Sequence, residues 1–199
     1  QIKDRFMDML NLAKELDEYV IFYNGPKSGA SAPDHIHFQA GNKGFLPIEK
    51  EWNFISKERV IKHPGAILWR LYDTPRATFV IEADNLQDAN NLFNIVYNAL
   101  ELKPGDEEPM MKLRAWHEKG ICTTCIFPRE KHRPDLYYAE GETNLLISPA
   151  SVDLGGVFIS PLEKDFNKIT SAEIRYILYE VCVSGNKLRK ITHQIKSSL

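Results

Sequence analysis

The chain has few cysteines, no long apolar run and no surplus of charge of either sign. Its three cysteines, Cys122, Cys125 and Cys182, cannot make an even-numbered disulfide framework. That usage fits a reducing compartment better than a secreted, disulfide-stapled fold. No run approaches the ~20 apolar residues of a membrane-spanning helix. Lys and Arg together number 25 against 27 Asp and Glu, a formal net charge of −2, so the basic footprint of a nucleic-acid or anionic-membrane binder is missing. The reading is a cytoplasmic protein that partners neither nucleic acid nor membrane. No secretory signal opens the chain. It starts at Gln1 and enters a helical pattern almost at once, and it reads as a piece of a longer protein.

What is present is a mixture of both periodicities. Phe6, Met9, Leu10, Ala13 and Leu16 recur at helical spacing and predict an amphipathic helix over residues 3–18. Tyr19–Tyr23 is a β-rich run stopped by Asn24-Gly25-Pro26. A small-residue loop, Lys27 to Pro33, leads to a strand expected over His35–Ala40. Residues 47–65 look irregular. Strands follow over Ala66–Tyr72 and Ala77–Glu82, then a helix over Leu86–Leu100 with Asp84 as its cap. Lys112–Trp116 and Ile121–Phe127 form a hairpin turning near Lys119-Gly120. Asn144–Ile147 and Val157–Ile159 read as further strands. Thr170 or Ser171 caps a third helix that Gly185 ends, and a short basic helix closes the chain. Helices and strands do not alternate as βαβ units, which argues for an α+β fold with a mainly antiparallel sheet and flanking helices. Two related halves are expected, residues 1–65 and residues 66–199, although no repeat is visible in the sequence.

Chemistry concentrates in His35-Ile36-His37-Phe38-Gln39. On a strand, alternate side chains share a face. His35, His37 and Gln39 would then line a cleft while Ile36 and Phe38 anchor the strand. A neutral imidazole is a competent nucleophile near pH 7, and an amide can donate to a developing phosphoryl oxygen. Just upstream, Asn24 to Ser31 offers small residues, hydroxyls, backbone N–H groups and Lys27, the makings of an anion-binding concavity. Charge cradle and nucleophile side by side are what phosphoryl or nucleotidyl transfer needs. Other readings stand beside this one. A His-x-His is commonly a surface or structural pair, and two histidines on one face also suit zinc. No third ligand is near except Asp34, which should face away, so no metal is expected. The Ser/Gly loop also reads as a plain turn.

Taken together, Asn24-Gly25-Pro26-Lys27-Ser28-Gly29-Ala30-Ser31 and His35-Ile36-His37-Phe38-Gln39 resemble the active-site segment of the histidine-triad superfamily. More narrowly they are similar to its His-x-His-x-Gln branch. That branch holds galactose-1-phosphate uridylyltransferase, diadenosine tetraphosphate phosphorylase and GDP-L-galactose phosphorylase. The continuation Phe45-Leu46-Pro47-Ile48-Glu49-Lys50 looks closest to the last, and Ile126 to Pro134 looks like an uncharacterised bacterial group of the superfamily. The resemblance implies a histidine-triad-like fold whose N-terminal part is missing here. It implies a nucleotidyltransferase or phosphorylase acting on a nucleotide sugar or dinucleoside polyphosphate, with phosphate or a sugar phosphate as acceptor and no cofactor. His37 matches the nucleophile that forms a covalent nucleotidyl-histidine. Gln39 matches the residue that binds a phosphoryl oxygen of that intermediate, where hydrolase branches carry a third His. His35 matches the first His, whose carbonyl orients the nucleophilic ring. Asn24, Gly25, Lys27, Ser28, Gly29 and Ser31 fall at phosphate-loop positions. A nucleotide hydrolase of the same fold and a non-catalytic nucleotide-binding module are the alternatives, and a homodimer is open.

Three further features carry less. Arg129, Lys131, His132 and Arg133 concentrate positive charge after a strand. They would either hold an acceptor's phosphates or form a solvated loop paired with Glu130 and Asp135. Cys122 and Cys125 sit on opposite faces of an expected strand and read as buried thiols. Trp52, Trp69 and Trp116 read as core or rim residues, with stacking on a base as the other use.

Overall fold

The architecture comes from a computed structural model that describes residues 1–198. Seven strands form one sheet: β1 (Tyr19–Asn24), β2 (Gln39–Asn42), β3 (Lys57–His63), β4 (Ala66–Leu71), β5 (Phe79–Ala83), β6 (Met111–Glu118) and β7 (Ile121–Pro128). Their spatial order is β2-β1-β6-β7-β5-β4-β3, and every neighbouring pair is antiparallel. The fold is thus α+β with flanking helices, as the mixed periodicity implies. The boundary expected after residue 65 falls in the β3–β4 turn, and β1 of the first expected half pairs with β6 of the second.

Helices α1 (Ile2–Glu15) and α3 (Leu86–Ala99) pack on one sheet face. Their apolar stripes meet where Phe6 stacks on Phe93, ring centroids 3.8 Å apart. α3 starts at Leu86 as expected, but its cap is Asn85 and not Asp84. The Asn85 side chain accepts from the N–H groups of Gln87 at 2.9 Å and Asp88 at 3.0 Å. Gly65 packs against this cap. A Cβ there would lie 2.5 Å from the Asn85 side chain, so only glycine lets the β3–β4 turn close over the helix start.

The opposite face is built differently. Cross-strand partners share a face. Gln39 pairs with Phe22, Phe22 with Arg114, and Asn24 with Lys112, so Gln39, Asn24, Lys112 and Arg114 all project to this side. It is roofed by α2 (Pro47–Glu51), whose neighbour Trp52 donates its indole N–H to Glu82 at 2.7 Å, and by the short α5 (Ser151–Leu154). Residues 47–63 therefore hold a helix and a strand where the sequence reads as irregular. The segments expected as strands over 144–147 and 157–159 have no regular secondary structure and lie outside the sheet, flanking α5.

At the C-terminal end, beyond the short α4 (Asp135–Tyr138) and α6 (Glu163–Lys168), α7 (Ser171–Val181) starts at Thr170. Its hydroxyl accepts from Ala172 N–H at 3.2 Å, while Glu173 accepts from Thr170 N–H at 2.8 Å. Gly185 does not end this helix. Cys182 leaves it to bridge Arg129, and Ser184 caps α8 (Gly185–Ser197) by accepting from Lys187 N–H at 3.2 Å. All three cysteines are free and buried, and no helix among the described residues is long and apolar enough to cross a membrane.

Candidate active site

The site grows from the end of β1. At Asn24 the strand stops because Gly25 must pass close under the connector: a Cβ there would meet the Met111 carbonyl at 2.8 Å and Glu108 at 3.0 Å. Pro26–Ser28 form a 3-10 turn, and Gly29 leaves it at φ +103°, a left-handed conformation that favours glycine. The Ser28 hydroxyl, expected to face a phosphate, is buried and donates to the Met111 carbonyl at 2.8 Å. Lys27 and Ser31 are exposed.

The strand expected at His35 begins only at Gln39. Continuing the β1–β2 register would set His37 opposite Asn24 and His35 opposite Pro26, where β1 has already turned away. His35 and His37 are therefore held on an irregular segment, ring centroids 5.5 Å apart. The His37 Nδ1 lies 3.4 Å from the His35 carbonyl oxygen. Asp34 does not face away: its Oδ1 is 3.2 Å from His35 Nδ1.

Two adjoining hollows lie between this loop and the 105–110 connector. A 510 Å³ cavity is lined by Gly25, Lys27 and Ser28 on one side and Gly105, Glu107 and Glu108 on the other. A 150 Å³ hollow next to it takes in Asn24, His35 and His37, and both share Pro26, Pro33, Asp34, Glu107 and Glu108. Glu108 is buried and committed. It accepts from Tyr23 Oη at 2.6 Å and from the Ile2 N–H at 2.9 Å. Burial, then Glu108, drives the Tyr23 phenol far above its ordinary pKa, so it stays a proton donor.

The four residues of the basic segment separate. Arg129 is buried and spends its guanidinium on the carbonyls of Val181, Pro149, Lys131 and His132 at 2.9–3.1 Å, which folds the loop rather than holding an acceptor. Lys131 pairs with Asp135 and Glu180. Arg133 lies over the Tyr137 ring, 4.2 Å from its centroid. His132 alone reaches the loop, its Nε2 packed 3.0 Å from where a Gly29 Cβ would stand. Burial, then Arg133, Lys112 and Arg129, hold its pKa below the ordinary value, so the ring is neutral near pH 7.

The side chain that sequence reading missed is Lys112. It is 1% exposed, its Nζ donates to Asn24 Oδ1 at 2.8 Å, and burial pulls its pKa well down. The signal was present: Lys112 and Arg114 are cations at alternate positions of an otherwise apolar strand, hence on one buried face. Among the described residues no three His, Cys, Asp or Glu side chains converge as a metal site.

Residues 1–42 match the family model described as a domain of unknown function, DUF4922. The match thus ends with β2 and takes in the whole loop and both histidines. A DUF4931 family protein from Bacillus cereus is similar in structure, at 22% sequence identity and a TM-score of 0.47, over 77% of this chain and 74% of that one. No curated protein matches the chain.

Proposed function

We propose that the protein is a nucleotidyltransferase of the phosphorylase type with a histidine-triad-like active site, and that His37 is its nucleophile. The observation that carries this reading is the His37 Nδ1 set 3.4 Å from the His35 carbonyl. A carbonyl can only accept, so it selects the tautomer with the proton on Nδ1 and leaves the Nε2 lone pair free to attack. The adjoining cavities supply room for a nucleotide beside that ring.

The reaction runs in two displacements. The Nε2 lone pair forms a bond to the α-phosphorus of a nucleotide sugar or dinucleoside polyphosphate. The bond from that phosphorus to its bridging oxygen breaks, and the sugar phosphate or nucleotide departs with the electron pair. Gln39 donates an N–H to a non-bridging oxygen of the nucleotidyl-His37. An oxygen of inorganic phosphate or a sugar phosphate then attacks phosphorus, the P–N bond breaks, and the imidazole returns to its starting state.

The test is intact mass after incubation of the full chain with a panel of dinucleoside polyphosphates and nucleotide sugars, with and without phosphate. The expected result is a gain of one nucleoside monophosphate that His37→Ala abolishes and that added phosphate discharges. A gain that persists in His37→Ala, or none with any member of the panel, refutes the assignment. Discharge at equal rate without phosphate identifies a hydrolase instead.

A further inference from the structure

Asn24 lies at a phosphate-loop position by its sequence, yet both ends of its amide are already engaged. Its Oδ1 accepts from Lys112 Nζ at 2.8 Å and from the Ser151 backbone N–H at 3.2 Å, and lies 2.9 Å from Ser151 Oγ, whose one proton it shares with the Tyr23 carbonyl at 3.1 Å. A backbone N–H can only donate. The amide therefore cannot be turned end for end, since its NH₂ would then face the Ser151 N–H, donor against donor. Its Nδ2 is thereby fixed toward β2, where it donates to Gln39 Oε1 at 3.1 Å. Gln39 sits at the first position of β2 with its side chain exposed, so its free end is the NH₂. The polarity of the chain from Lys112 through Asn24 to Gln39 is set from the buried end outward.

The geometry points to Asn24 as a positioning residue that presents the Gln39 NH₂ to the substrate, with Lys112 and Ser151 as the anchors that fix its orientation, and not as a phosphate ligand itself. This rests on the reading of Gln39 as the donor to the nucleotidyl group. An amide facing the other way would set its Oε1 against a phosphoryl oxygen, lone pair against lone pair. Pre-fixing the donor end removes that state before substrate arrives. It also accounts for a lysine buried on the site side of a central strand with only Asn24, among the described residues, as its hydrogen-bond acceptor.

The test uses Asn24→Asp. The new carboxylate keeps Lys112 and Ser151 satisfied but offers Gln39 an oxygen, so the Gln39 amide turns and donates inward. Two readouts on the full chain follow. In the first, solvent exchange of the Gln39 side-chain NH₂, read by NMR on glutamine-labelled protein, slows relative to the parent protein. In the second, nucleotide-adduct formation at saturating substrate falls about 100-fold, the range seen for loss of one oxyanion donor. Half-saturation changes little, and Asn24→Asp combined with Gln39→Ala is no slower than Gln39→Ala alone. If Asn24→Asp does not fold, Asn24→Ala frees the Gln39 amide and shifts the same signal. An unchanged Gln39 signal, or rate losses that simply multiply, overturns the inference. A parent protein that forms no adduct refutes the proposed reaction only, because the amide signal still decides the orientation.

Discussion

Replacing Arg114 by methionine should make this protein more stable. Arg114 is 0% exposed, and none of its three guanidinium nitrogens has a hydrogen-bond partner among the described residues. The Phe127 and Trp116 rings lie 5.2 and 5.9 Å from its guanidinium carbon, and the Cys125 thiol, a weak acceptor, sits beside it. Each unmade buried donor costs ~1–3 kcal/mol. A well-desolvated cation–π contact returns about 2 kcal/mol. Methionine is unbranched, fills a similar channel and has no donor to satisfy. The close approach of Gly155, whose missing Cβ would lie 2.1 Å from Nη1, leaves little space for the loss of the guanidinium to create. Exchanges of buried charge for fitted hydrocarbon gain ~1–4 kcal/mol, which for a domain of this length is a Tm rise of about 2–16 °C. Thermal melting followed by circular dichroism, with urea unfolding to check that the m-value holds, reads the effect. A Tm that drops by several degrees would refute the reasoning, since it would mean that an ion or water pairs the guanidinium in solution.

Two further predictions concern the buried Tyr23 hydroxyl and the half-buried His132. Tyr23→Phe removes the hydroxyl that donates to Glu108 at 2.6 Å and leaves a buried carboxylate with one donor fewer. The expected loss is ~1.5–3 kcal/mol by urea unfolding, and a loss below a few tenths would mean that water replaces the phenol. His132 makes stability depend on pH. Its folded pKa lies below the ordinary 6.5. The unfolded chain therefore takes up that proton at a higher pH than the folded one. The contribution is complete above pH 6.5 and is lost as pH falls through that value toward the folded pKa. Between about pH 7 and 5 the Tm of the parent protein should decline more than that of His132→Gln. Parallel curves would show that the ring titrates alike in both states.

What the sequence determined by itself was whatever short-range periodicity controls. The stripe of α1, the stripe of α3 and the β6–β7 hairpin around Lys119 and Gly120 were legible because each is specified within about a dozen residues. Both turn residues take positive φ, 51° and 82°. The local alternation of His35–Gln39 also reads as a strand, yet β2 starts only at Gln39. A strand needs a partner, and β1 bends away at Gly25 for reasons lodged in Met111 and Glu108, far along the chain. The pair of hidden elements over 47–63 went unseen for a related cause: a five-residue helix and a seven-residue strand are too short to announce a period. Only the tertiary structure decided which groups meet Gln39. Asn24 is 15 residues from it, Lys112 a further 88 from Asn24, and Ser151 127. Sheet order brings β6 beside β1, and α5 closes over both. Nothing in the spacing of residues along a chain carries that information, because a hydrogen bond between distant segments depends on which strands become neighbours.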